Sequence, residues 1–156
     1  MRLRTVLGFG ALTAEAALIG SRATKQSVNS RWYNVQLDKP SWQPPREVFG
    51  PVWTTLYALM AGSAARMYDA RPSRERSRAL KLWGAQLALN AAWSVIFFGA
   101  RKPKIAAAEI GVLLATIALY MRETHRVDGR ATAMMAPYLG WTAFAAVLNG
   151  TIAKNN

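Results

Sequence analysis

The stretch that decides the fold is residues 80–121, LKLWGAQLALNAAWSVIFFGA-RKPK-IAAAEIGVLLATIALYM. Two long apolar blocks, Leu80–Ala100 and Ile105–Met121, flank a basic turn of Arg101-Lys102-Pro103-Lys104. Lys81 and Glu109 are the only charged residues inside the blocks. A helix on a soluble domain would show charge on one face every turn, which these blocks do not. Each is instead close to the ~20 residues that cross a bilayer core. A helix satisfies its own backbone hydrogen bonds there.

The pattern repeats outward in both directions. Apolar spans are expected at about 5–22, 48–68, 80–100, 105–121 and 131–153. The fold class is therefore an all-α integral membrane protein, a bundle of five transmembrane helices forming a single domain over residues 1–156. Apolar residues make up 52% of the chain and the formal net charge is +12. Lys and Arg gather at the ends of the apolar spans, where they reach phospholipid headgroups, so a lipid surface rather than nucleic acid explains the basic surplus. The 20 Lys and Arg divide 11 to one side and 9 to the other, too even to set orientation. Cysteine is absent, which excludes disulfides, thiolate metal sites and cysteine nucleophiles. The flank Met1-Arg2-Leu3-Arg4 looks like a signal-peptide n-region, but Glu15 interrupts the apolar run behind it, so an uncleaved first helix is expected.

The connections differ in character. Ser21–Arg46 is polar, ends in Pro40, Pro44 and Pro45, and reads as a long ordered loop carrying Trp32, Tyr33 and Trp42. Pro51 falls near the start of the second span, a tolerated first-turn position. Asp69–Ala79 is an Arg-rich loop and Arg122–Arg130 a polar one.

No sequence motif for hydrolysis, phosphate binding or dinucleotide binding is present. His125, the single histidine, reads as a solvated loop residue rather than a haem or metal ligand, and no metal site is expected. Glu15 and Glu109 lie inside apolar spans, a costly placement; Glu109 is within reach of Lys104, and Glu15 lies two turns from Arg22. Polar and aromatic residues share helix faces. Gln86, Asn90, Trp93 and Phe97 form one stripe; Trp53 and Tyr57 are one turn apart; Tyr138, Trp141 and Ala145 share a face. Amides facing lipid would be expensive, so the stripe is expected to face the bundle interior. Two readings stay open: interhelical packing, or an aromatic pocket with amide donors for a large flat apolar ligand such as a tetrapyrrole or sterol. Gly84, Ala88 and Ala92 form a small-residue stripe that suits close packing within one chain or between two.

Four motifs then align with a known family. Trp32-Tyr33 followed by Leu37-Asp38-Lys39-Pro40-Ser41-Trp42-Gln43-Pro44-Pro45 resembles the first-loop signature of the translocator protein family, whose bacterial members are called tryptophan-rich sensory proteins and whose mitochondrial members are called peripheral benzodiazepine receptors. Val48–Tyr57, Gln86–Gly99 and Pro137–Asn149 are similar to its second, third and fifth helices. The resemblance implies a five-helix bundle, usually a homodimer, in which the long first loop acts as a lid over an intramembrane pocket. The implied ligands are porphyrins such as protoporphyrin IX, haem-like tetrapyrroles and sterols, with no obligatory cofactor. The implied ligand-binding residues are Trp32, Tyr33, Trp53, Tyr57, Asn90, Trp93, Trp141 and Ala145. The function implied is that of a membrane receptor, sensor or transporter. One alternative is light-dependent protoporphyrin degradation needing Trp53 and Trp141; another is a membrane interaction protein with incidental ligand binding. Gly150 stands where the family's sterol motif has tyrosine, which favours tetrapyrrole over sterol. A bacterial cell membrane is the favoured location, the mitochondrial outer membrane the alternative.

Overall fold

The computed structural model describes residues 2–156; Met1, the first residue of the basic N-terminal flank, lies outside them. Five long helices run α1 (Leu3–Val28), α2 (Arg46–Asp69), α3 (Arg74–Ser94), α4 (Pro103–His125) and α5 (Gly129–Asn155), with no strand among the described residues. Two single π-helical turns interrupt this order: Trp32–Gln36 after α1, and Val95–Gly99 continuing α3. Four of the five, namely α1, α3 with its continuation to Gly99, α4 and α5, are long and apolar enough to cross a membrane. α2 has the length, 24 residues or roughly 36 Å at ~1.5 Å per residue. Its Trp53, Thr54, Thr55, Tyr57 and Ser63 dilute the apolar run. The chain is an integral multi-pass membrane protein.

The helices pack as a closed ring in the order α1, α2, α5, α4, α3 and back to α1. Gly20 lies where α1 crosses α3: a Cβ there would meet Ser94 Oγ at 3.1 Å. Along its length the ring has two halves. At the end holding the N-terminus, the interior is solid, with Met60, Ala64, Met67, Ala79, Ile117, Tyr120, Ala131 and Met135 all fully buried. Several polar groups there are paired, although Gln86 Oε1 and Glu123 Oε2 are buried without a hydrogen-bond partner among the described residues. Ser63 Oγ lies 2.8 Å from Tyr120 OH and donates to the Ala131 carbonyl at 2.8 Å, while Trp83 Nε1 donates to the Met60 carbonyl at 3.1 Å.

The helices extend beyond the apolar spans, and this corrects the expected loops. α1 continues to Val28, so most of Ser21–Val28 is helix rather than loop. The segment holds no Pro or Gly, and Arg22, Ala23, Lys25 and Gln26 are good helix formers. Its polarity marks the exit from the bilayer, not the end of the helix. α3 begins at Arg74, where the Ser73 side chain accepts the Arg76 N–H, leaving residues 70–73 as the connection. Arg76 then closes the end of α2 by donating to the Tyr68 carbonyl at 2.7 Å. α4 runs through His125, which is its exposed last residue and not part of a loop. Pro51 lies inside α2, beyond the first turn, because the helix starts at Arg46 directly behind Pro44-Pro45. Glu15 faces outward and makes no ion pair with Arg22. The oxygens of Glu109 are buried without a hydrogen-bond partner among the described residues, so it does not pair with Lys104. Gly84 and Ala88 are exposed on the outside of the ring, so this part of the small-residue stripe is not spent on internal packing.

At the solid end, Asp69 receives the Arg2 N–H at 2.7 Å and the Thr5 hydroxyl at 2.9 Å, a carboxylate on the orphan donors of α1. Asp128 caps α5 by accepting from Arg130 N–H at 3.0 Å and pairs with Arg66 at 2.7 Å, the one ion pair among the described residues. Partial burial pushes the Asp128 carboxyl upward, but Arg66 and the N–H groups of Arg130 and Ala131 outweigh it and hold it below the usual carboxylate range. A carboxylate lowered on folding stabilises the protein above its unfolded value, and that stabilisation is lost as pH falls through the folded value. Asp128→Ala should therefore cost about 1–2 kcal/mol at neutral pH, from the cap and a partly exposed ion pair. The difference from wild type in thermal melts should shrink when the melts are repeated near the carboxylate range; a pH-independent difference would refute the assignment.

Candidate functional site

The other half of the ring, beneath the lid, is hollow. A cavity of about 460 Å³ opens there, with walls from all five helices and the lid. Trp53, Tyr57 and Phe49 come from α2, Asn90 and Trp93 from α3, and Trp141, Thr142 and Ala145 from α5. α4 adds Ile110 and Leu113. A π-helical turn, Val95–Gly99, continues α3, and its neighbours Phe97 and Phe98 both line the wall. The turn closes through Arg101 in the left-handed region, φ 56°.

The aromatic rings support one another. Trp53 is 5.5 Å from Tyr57 and 6.4 Å from Trp141, the two indoles being perpendicular. Trp93 stacks on Phe97 at 5.1 Å. Most of the polar groups around the cavity are paired, while Thr142 Oγ1 and Gln43 Oε1 are buried without a partner among the described residues. Asn90 donates through Nδ2 to Tyr138 OH at 2.8 Å and accepts at Oδ1 from Tyr57 OH at 2.9 Å. Trp93 Nε1 donates to Asn149 Oδ1 at 2.9 Å, and Asn149 Nδ2 donates to the Pro103 carbonyl at 2.9 Å. The amide of Asn90 is thus used to brace tyrosines; the expectation of an amide donor free for a ligand does not fit it. Gln86, one turn below, is fully buried and lies under the floor, not in the wall.

The lid is braced internally at two places and tied to the C-terminus at a third. Gln43 Nε2 donates to Tyr33 OH at 2.8 Å, and Lys39 Nζ donates to the Tyr33 carbonyl at 2.6 Å. Asn156 pairs with the backbone of Asp38, accepting its N–H at 3.0 Å and donating to its carbonyl at 2.9 Å.

Seven of the eight sequence-selected residues, Tyr33, Trp53, Tyr57, Asn90, Trp93, Trp141 and Ala145, line this one cavity. Trp32 does not. Its ring packs edge-on against Phe97 at 6.2 Å, under the Arg101 guanidinium at 5.6 Å, outside the wall. Its neighbour Tyr33 is buried and faces the cavity. Sequence reasoning missed the contribution of α1, whose Ala17, Gly20, Ser21, Thr24, Lys25 and Val28 form one face of the cavity. That spacing of three and four is readable in the sequence, but the expected span stops near residue 22. His125 and Glu109 do not line the cavity, and the described residues hold no cluster suited to a metal ion.

The Asn90 bridge gives a stability prediction. Asn90→Leu keeps the volume but leaves the hydroxyls of Tyr57 and Tyr138 unpaired, which should cost about 2–4 kcal/mol. Tyr138→Phe should cost about half of that. Unfolding in mixed micelles measures both, and equal stability of Asn90→Leu and wild type would refute the bridge.

Comparison with known proteins matches this architecture. A model of the TspO/MBR family matches residues 9–154. The chain is 38% identical over 126 residues to the tryptophan-rich protein TspO of Chlorobaculum tepidum, covering 80% of each chain. It is 36% identical over 152 residues to the translocator protein of Homo sapiens, covering 96% of this chain and 89% of that one. It is 38% identical over 118 residues to the tryptophan-rich sensory protein of Cereibacter sphaeroides, covering 76% of this chain and 72% of that one. With a match across nearly its whole length, the chain belongs to the TspO/MBR family.

Proposed function

We propose that this protein is a membrane receptor or sensor that binds porphyrins and related tetrapyrroles in the cavity beneath its lid. Membership of the TspO/MBR family supports the receptor or sensor role. The observation that carries the ligand class is the wall itself. Three indoles, Trp53, Trp93 and Trp141, with Tyr57, Phe49 and Phe97, surround a space of about 460 Å³ inside the bundle. That size falls within the roughly 300–1,000 Å³ of small-molecule sites. Rings whose faces and edges are already set at 5–6 Å from one another suit a rigid flat π-system, which loses little conformational freedom on binding. The amides of Asn90 and Asn149 are engaged with tyrosine, tryptophan and backbone groups, which favours a ligand whose centre is apolar.

Titration of the purified protein in lipid nanodiscs with protoporphyrin IX, followed by the shift of the porphyrin absorption band, tests this reading. The double variant Trp53→Ala with Trp141→Ala should raise Kd about 5- to 150-fold, since two aromatic contacts are worth about 1–3 kcal/mol. Trp32→Ala, outside the wall, should change Kd less than about twofold. An unchanged Kd in the double variant would remove the cavity as the binding site.

A further inference from the structure

The cavity wall carries a single charged side chain among the described residues, Lys25. It stands in the last turn of α1, at the lid end, with Val28 beyond it and Ser21 one turn before it on the same face. No carboxylate lines the cavity. Lys25 forms no ion pair and no side-chain hydrogen bond with the described residues. It is exposed, so its ammonium group is not held by the protein and stays accessible at the mouth.

A lone cation at the rim of an otherwise neutral, aromatic cavity has a clear electrostatic consequence. The low-dielectric walls carry its field inward, and nothing in the wall cancels it. A neutral ligand gains nothing from it. A ligand with a carboxylate at one edge gains a charge-assisted hydrogen bond from the ammonium group. Ser21 offers a hydroxyl donor ~6 Å further down the same helix face, the usual separation of positions i and i+4. The charge is also well placed for its cost. A carboxylate at the lid end stays near water and is only partly desolvated, whereas at the Asn90 floor it would be fully buried.

We propose that Lys25 is a specificity-determining residue that anchors a carboxylate of the ligand, so that the site selects anionic amphiphiles with a flat apolar body over neutral molecules of the same shape. The flat body lies between Trp53, Trp93 and Trp141, and its acidic edge meets Lys25 beneath the lid. This rests on the cavity being the binding site.

The test uses protoporphyrin IX and its neutral dimethyl ester, two probes of one shape that differ in charge. Each is titrated into the full chain in nanodiscs of zwitterionic phosphatidylcholine, which removes lipid charge as a competing anchor. Wild type should bind the free acid about three- to tenfold more tightly than the ester, the range for one partly exposed charged hydrogen bond. Lys25→Met should lose that preference, binding acid and ester within about twofold of each other, while a melting temperature equal to wild type reports an intact fold. Lys25→Arg should keep it. Equal binding of acid and ester by wild type, or a preference that survives in Lys25→Met, overturns the anchor and leaves the cavity standing. Failure of wild type to bind either probe overturns the cavity reading and the anchor with it.

Discussion

One side chain, Asn90, joins three of the five helices at the level where the bundle changes character. It holds Tyr57 of α2 at 2.9 Å and Tyr138 of α5 at 2.8 Å from its own place on α3. Below it the ring is filled by Met60, Met135, Ile117 and Tyr120, all fully buried. Above it the same helices stand around an open space. In a bilayer, helices gain nothing from hydrophobic exclusion of one another, since lipid chains are as apolar as leucine. Polar bridges and close packing must therefore fix their separation. The Asn90 bridge and the solid half beneath it allow the upper half to remain hollow without the ring collapsing or splaying.

The hollow half is built from rigid parts. Trp53 meets Trp141 edge to face, Trp93 stacks on Phe97, and Phe97 and Phe98 of the Val95–Gly99 turn both reach the wall. The polar groups in the floor and lid are largely committed to one another, in the Asn90, Asn149 and Tyr33 bonds. The shape of the space is then set by the protein in advance of any ligand, which lowers the cost of ordering on binding. The charge is the exception. Lys25 sits at the mouth without an ion-pair partner among the described residues, so shape is fixed by the interior while the proposed electrostatic selection falls to the rim.

Much of this is legible in the sequence. Apolar runs of bilayer length locate the five helices, and the 3.6-residue period alone puts Asn90 with Trp93, and Trp53 with Tyr57, on inward faces. The remainder is hidden for identifiable reasons. Trp32 and Tyr33 are neighbours in one motif, and a motif assigns both to a site, whereas the fold turns only Tyr33 into the wall and packs Trp32 on Phe97. The face of α1 is obscured because polar residues after Gly20 resemble a loop; the helix leaves the bilayer there but does not end. Glu109 has no legible counterpart, since its neighbours come from another helix and sequence spacing reports only its own.

The central claim is that the space above Asn90 is a preformed binding cavity rather than loose packing. Ala145 lines it from α5, and a larger side chain there must project into the space. The decisive measurement is the protoporphyrin IX affinity and melting temperature of Ala145→Phe beside wild type. A cavity built to hold the ligand predicts that Kd rises more than about tenfold while the melting temperature stays level or rises, because the added ring fills space without displacing the core. Wild-type affinity in Ala145→Phe would contradict the account.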